Sequence, residues 1–118
     1  QRRAVWESKE SSFYEPFILR GVLGIISADS KISTYSSRTF EDSWKQEEYA
    51  LRELSNPETF KGHILVGDLE GYIHALDPLT GITVARKKIS RNKIITLVSR
   101  SDSFYAIDEK MKLFSLSF

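Results

Sequence analysis

The chain has 118 residues, 41% of them hydrophobic and 28% charged, with no cysteine. That length can bury a core unaided, and the missing cysteine excludes disulfide frameworks, thiolate catalysis and cysteine-based metal sites. Seventeen Lys and Arg against 16 Asp and Glu leave a formal charge of +1, a poor basis for nucleic-acid binding, and no apolar run approaches the roughly 18–20 residues of a membrane-spanning helix.

Gln1-Arg2-Arg3 opens straight into Ala4-Val5-Trp6, with no initiator Met, leader or lipid-attachment cysteine, so a segment cut from a longer chain is expected. Residues 4–8 read as a first strand. Phe17-Ile18-Leu19 and Val22 to Ile26 follow, short, rich in β-branched and aromatic types, and bounded by turn formers. Gln46 to Leu54 is the best helical candidate, with Tyr49, Ala50, Leu51 and Leu54 at helix-compatible spacing. Ser55-Asn56-Pro57 stops it, so one or two turns at most, or an extended connection, are predicted. Further strands are expected at Ile64-Leu65-Val66, Ile94 to Val98 and Leu113 to Phe118. Alternation marks Gly71 to Leu76 and Lys112 to Leu116 as strands packed on at least one face. Asp68-Leu69-Glu70-Gly71 and Asp77-Pro78-Leu79-Thr80-Gly81 supply the short turns of an antiparallel meander.

The chain repeats itself with a period near 40. Pro16 and Pro57, and Gly21 and Gly62, lie 41 apart; Ile32, Ile73 and Leu113, and Tyr35, Leu76 and Leu116, fall 41 and then 40 apart. Asp29 and Asp68 are 39 apart, which pairs them as turn aspartates with a loop two residues shorter before the second. Trp6 and Trp44 are 38 apart, and Val84-Ala85 takes the place of a third Trp. Four short antiparallel strands per repeat describe a β-propeller blade, which must stack on neighbours to bury its two faces. The fold expected is therefore all-β: the outer strand of a preceding blade at 4–8, blades at 14–47 and 55–88, and an incomplete last blade at 93–118. Closed propellers need about four to eight blades, so this chain is expected to be part of a longer propeller in preference to an assembly of copies.

Candidate chemistry is sparse. His63 and His74 with Asp68 and Glu70 could be imagined as a metal set, but the alternating strand at His74 and the capping role of the carboxylates favour a structural reading. Glu47-Glu48 and Asp108-Glu109 would point to opposite faces of a strand, and no Gly-x-Ser-x-Gly elbow occurs. No catalytic or metal-binding residue is assigned. Charge is segregated: Arg86, Lys87, Lys88, Arg91, Lys93 and Arg100 form a run without acids, while Glu41 to Glu58 is mostly acidic. The run reads either as solvated outer strands or as a basic rim (Arg86, Lys87, Lys88, Arg91, Lys93) for a partner or anionic headgroups. Tyr14, Phe40 and Tyr49 are candidate loop anchors for protein contacts.

The unit His63 to Asp77 followed by Thr80-Gly81, with its apolar strand, Asp-Gly turn, aromatic and Ala-Leu-Asp, resembles the pyrroloquinoline-quinone (PQQ)-like repeat. Leu51 to Pro57 and Gly67 to Lys88, with no Trp in Val84 to Lys88, resemble the C-terminal part of the BamB family, as does the Leu113 to Leu116 strand close to the end of the chain. Residues 89–104 and the last turn, Asp108-Glu109-Lys110-Met111, depart from that pattern. The resemblance implies an eight-bladed periplasmic propeller, tethered to the outer membrane by an N-terminal lipid anchor that this chain lacks. It implies a non-enzymatic lipoprotein subunit of the β-barrel assembly (BAM) complex that binds the POTRA domains of the central barrel-assembly subunit and aids assembly of unfolded outer-membrane proteins. The family's known contacts lie in earlier blades, so none is carried onto this chain. No cofactor is expected: the vicinal cysteines of quinone-dependent dehydrogenases are missing, and Trp6 and Trp44 sit at the repeat's packing position. The alternatives are a fragment of a PQQ-repeat enzyme and a luminal or periplasmic sensor propeller.

Overall fold

Two adjacent residues with positive φ, Arg20 (53°) and Gly21 (79°), turn the chain after its first short strand, and Lys61 (50°) and Gly62 (81°) repeat the turn 41 residues later. Positive φ at both central positions gives the hairpin turn whose twist matches that of the flanking strands. The computed structural model describes residues 16–116, so the expected strand at 4–8, Tyr14 and Phe118 lie outside the described residues. Within that range eleven strands form three antiparallel meanders, with no helix among the described residues. The first sheet holds β1 (Phe17–Leu19), β2 (Val22–Ile26), β3 (Ile32–Ser36) and β4 (Asp42–Gln46). The second holds β5 (Glu58–Phe60), β6 (His63–Gly67), β7 (Tyr72–Leu76) and β8 (Thr83–Lys88). The third holds β9 (Ile94–Ser99), β10 (Phe104–Asp108) and β11 (Leu113–Leu116).

The second turn of each sheet corrects one alignment made from sequence. Asp68 N–H bonds to Tyr72 C=O at 2.9 Å, Asp108 N–H to Lys112 C=O at 3.1 Å, and Ser27 N–H to Lys31 C=O at 2.9 Å. The counterpart of Asp68 is therefore Ser27, not Asp29, and no loop is shortened. Asp29 instead accepts the Ser27 hydroxyl at 2.5 Å and so supplies the carboxylate from two residues away. The fourth position of each turn has positive φ: Ser30 at 67°, Gly71 at 89° and Met111 at 65°. The third turn repeats as closely. Ser36 Oγ accepts the N–H groups of Arg38 and Thr39, and Asp77 Oδ1 those of Leu79 and Thr80. Phe40, at φ 63°, therefore occupies the position of Gly81 at the end of this turn.

Two apolar layers hold the sheets face to face. Phe17, Ile26, Ile32, Tyr49, Leu54, Ile64, Val66 and Leu76 fill the space between the first and second sheets. Phe60, Leu65, Ile73, Ala75, Ile94, Leu97, Phe104 and Ala106 fill that between the second and third. Tyr49 thus belongs to the core, correcting its reading as a contact residue: a tyrosine in a connector reaches inward when the connector crosses between two sheets. Trp44 donates Nε1–H to Pro78 C=O at 2.8 Å, and its ring lies so close to Gly81 that a Cβ there would meet it at 2.3 Å. The Asn56 amide brackets Leu97, accepting its N–H at 2.9 Å and donating to its C=O at 3.1 Å, as a neighbouring strand would. Of the helical candidate Gln46 to Leu54, Gln46 ends β4 and residues 47–52 form consecutive turns. Positive φ at Leu51 (65°) and Glu53 (51°) stops helix growth, and Leu51 N–H is spent on Asp29 C=O at 2.8 Å.

The shared turn geometry makes a stability comparison possible. Met111 is 73% exposed and carries a side chain where glycine suits the backbone, so Met111→Gly is expected to stabilise the fold by up to about 1 kcal/mol. A Cβ at Gly71 would meet the Ser90 carbonyl oxygen at 2.0 Å, so Gly71→Ala should cost at least about 2 kcal/mol. Urea unfolding of both variants checks the opposite signs.

Candidate functional site

Asp68 starts the turn between β6 and β7, at the seam of the first two sheets, and is fully buried. Its Oδ1 accepts the N–H groups of Glu70 at 2.9 Å and Tyr72 at 3.1 Å, which shapes the turn. Its Oδ2 accepts from Arg52 Nη2 at 2.8 Å and Nε at 3.1 Å, and from His74 Nε2 at 2.7 Å. Arg86 Nε–H donates to His74 Nδ1 at 3.2 Å, so the imidazole carries its proton on Nε2 and donates it to Asp68. Arg86 Nη2 in turn holds Glu48 Oε2 at 3.0 Å, and Arg52 Nη2 holds Glu70 Oε1 at 3.1 Å. The Tyr49 ring lies 4.5 Å from that of His74, and its hydroxyl shares a hydrogen bond with Thr83 Oγ1.

Burial alone would raise the Asp68 carboxyl, but the hydrogen bonds from His74, Arg52 and the two turn amides outweigh it and hold it well below the ordinary carboxylate range. Burial pushes the Tyr49 phenol up, against the hydrogen bonds to Thr83 and Arg86. Glu48, Tyr49, Arg52, Glu70, Tyr72, His74 and Arg86 line a cleft of about 290 Å³ above this network. An Asp–His pair of this kind can orient a general base. Here both imidazole nitrogens are engaged inside the cluster, so neither is directed at a substrate position.

The sequence-predicted residues are only partly brought together. His74 and Asp68 meet. His63 stands apart at the start of β6, its Nδ1 3.1 Å from the Lys61 carbonyl, and no metal-binding cluster forms among the described residues. The basic run divides along β8 and the connector after it. Arg86 faces the cleft; Lys88 Nζ donates to Glu70 C=O at 3.1 Å and lies 5.2 Å from the Tyr72 ring centre. Lys93 Nζ pairs with Glu53 Oε1 at 2.6 Å. Lys87 and Arg91 are exposed and join no ion pair among the described residues. Sequence reasoning missed Arg52 and Glu48. Their partners lie 16 and 38 residues further along the chain, and only the stacking of sheets brings them into range.

No protein-family model matches the chain. Over 84 residues, 71% of the chain, it is 34% identical to the outer membrane protein assembly factor BamB of Marinobacter adhaerens, of which it spans 22%. It is 32% identical over 94 residues to BamB of Shewanella oneidensis, covering 80% of the chain and 24% of that protein. The chain thus spans about a quarter of the length of these curated relatives. Among solved structures, BamB from Moraxella catarrhalis matches with TM-score 0.85 and 24% identity, over 92% of this chain and 33% of that one. The β-propeller domain of Swd1 from Myceliophteria thermophila matches at TM-score 0.69 and 9% identity, covering 94% and 36%. Quinohemoprotein alcohol dehydrogenase from Comamonas testosteroni matches at TM-score 0.64 and 16% identity, covering 92% and 22%. These likenesses bear out the all-β propeller fold and the resemblance to BamB.

The Asp68 network makes stability depend on acid. The unfolded chain takes up a proton near the ordinary value of 3.8, while the folded carboxylate resists protonation until well below it. The stabilisation is complete above about pH 5 and is lost as pH falls through the acid range. Asp68→Asn should cost about 3 kcal/mol or more at neutral pH, because it leaves Arg52 and His74 without their shared acceptor. It should also flatten the loss of stability between about pH 5 and 2, measured by denaturant unfolding across that range.

Proposed function

We propose that this BamB-like propeller segment is part of a non-enzymatic scaffold that aids assembly of β-barrel proteins into the outer membrane through protein–protein contacts. The similarity to proteins named outer membrane protein assembly factors carries this reading. The cleft is consistent with it: the titratable groups around Asp68 pair with one another, and the Tyr49 hydroxyl beside His74 is already bound to Thr83. The likeness to the alcohol dehydrogenase is one of fold alone, so the quinone-repeat enzyme is the weaker alternative.

In this reading residues 14–47, 55–88 and 93–118 are successive blades of an eight-bladed protein. That protein works in the periplasm, tethered to the outer membrane by a lipid anchor outside this chain, with the POTRA domains of the central barrel subunit and unfolded outer-membrane proteins as partners. Rigid sheets present loops and strand edges, and the basic rim contributes attraction. Within that rim Lys87 and Arg91 are exposed and join no ion pair among the described residues, whereas reversing Arg86 would also dismantle the His74 network.

Two measurements test the reading. Cells lacking the full-length protein should regain normal porin levels with the intact gene, but not with one deleted for this segment; full rescue by the deletion would refute the role. Lys87→Glu in the full-length protein should weaken binding to purified POTRA domains roughly threefold at physiological salt. Unchanged affinity would remove the rim from the contact.

A further inference from the structure

The seam between the first and second sheets recurs, one repeat later, between the second and third, with its charges changed. Two hydrogen bonds fix the correspondence. Leu69 N–H bonds to Arg52 C=O at 2.9 Å, and Glu109 N–H bonds to Lys93 C=O at 2.8 Å. The connectors therefore align 41 apart and the turns 40 apart. Asp108 takes the place of Asp68: its Oδ1 accepts the N–H groups of Lys110 at 2.9 Å and Lys112 at 3.0 Å, and its Oδ2 accepts the Ser90 hydroxyl at 2.7 Å.

Around this shared geometry three of the first seam's acids are replaced, while Glu109 stands where Leu69 does. Glu47 and Glu48 of the first connector become Lys88 and Ile89, and Glu70 of the first turn becomes Lys110. Tyr72 becomes Lys112, and His74 becomes Phe114. A cleft of about 420 Å³ remains, with Lys88, Arg91 and Lys112 among its walls and Phe114 on one side. Asp108, the one acid lining it, is 1% exposed, and its oxygens are turned to the backbone and to Ser90. Lys112 Nζ lies 5.4 Å from the Phe114 ring centre, and neither it nor Arg91 has a carboxylate partner among the described residues. In the first cleft the protein neutralises such cations with its own side chains, Glu48 on Arg86 and Glu70 on Arg52.

We propose that the cleft between the second and third sheets binds an acidic segment of a partner protein, whose carboxylates take the positions that Glu48 and Glu70 hold in the first cleft. Phe114 offers a flat apolar wall for a side chain flanking the acids. The cations set on-rate and specificity, as exposed charges do. This inference is independent of the assembly role: it rests on the comparison of the two clefts and holds for any partner with such a segment.

The test uses the full-length protein and a short fluorescein-labelled peptide rich in glutamate with a central phenylalanine, followed by anisotropy. Binding should weaken as salt rises, and Arg91→Glu or Lys112→Glu should each reduce affinity roughly fivefold or more. Lys45→Glu, an exposed charge on β4 outside the cleft, should leave it unchanged. Circular dichroism melts confirm that the variants, all at exposed positions, remain folded. Absence of salt-sensitive binding, or an equal loss with Lys45→Glu, would overturn the site. Anionic phospholipid vesicles bound in preference to the peptide, with the same dependence on Arg91 and Lys112, would overturn the peptide in favour of a phosphate headgroup.

Discussion

A carboxylate buried at the head of a turn is the interaction from which the rest of this structure is arranged. Removing an ionised carboxylate from water costs several kcal/mol even after relaxation, so it persists only where every acceptor site is used. Asp68 meets that condition with two turn amides, a histidine and an arginine. Its own backbone carbonyl accepts from Ile94 N–H at 3.0 Å, at the first residue of the third sheet. One residue therefore shapes a hairpin, ties it to the connector behind through Arg52, and anchors the sheet ahead. Sheets that cannot bury both faces alone are joined by polar contacts as well as by the two apolar layers.

The regularities of the chain were legible because they follow local rules. Hairpins appear where glycine follows a short apolar run, and His74 reads correctly as structural because it alternates with Ile73 and Ala75 on a buried strand. The repeat placed Ile32, Ile73 and Leu113 at equivalent positions, and all three begin or nearly begin the third strand of a sheet. The pairing of Asp29 with Asp68 failed because residue type was matched instead of backbone position. A serine can start the same turn if a carboxylate two residues on holds its hydroxyl. Nothing in a single repeat announces that substitution.

The long-range pairs were illegible for a different reason. Glu48 with Arg86 and Glu53 with Lys93 join residues about one repeat apart, so each pair forms only when successive sheets stack. Read linearly, these residues looked like an acidic run and a basic run facing solvent. Stacked, much of the apparent segregation is complementarity between neighbouring connectors. Within the basic run Arg86 and Lys93 are paired, and Lys87, Lys88, Arg91 and Arg100 join no ion pair among the described residues.

The two seams also differ in how firmly their outer ends are held. At the first, the Trp44 ring presses on Gly81 and its indole N–H is fixed by Pro78, while Gln46 Nε2 donates to Gly81 C=O at 2.8 Å. The residue 41 positions after Trp44 is Ala85, which cannot reach across, and beside it Val84 is 53% exposed. A shallow apolar groove of about 180 Å³ opens there, lined by Phe60, Leu65, Ala75, Val84 and Ala85 with Lys61 and His63. Loss of the tryptophan from β8 and loss of the acids from the following connector thus occur on the same side of the second sheet. The first seam is closed by its own aromatic and its own carboxylates. The second retains the buried aspartate that sets its geometry and carries Lys88, Arg91 and Lys112 in place of the first seam's carboxylates, an arrangement that combines a fixed scaffold with a cationic surface.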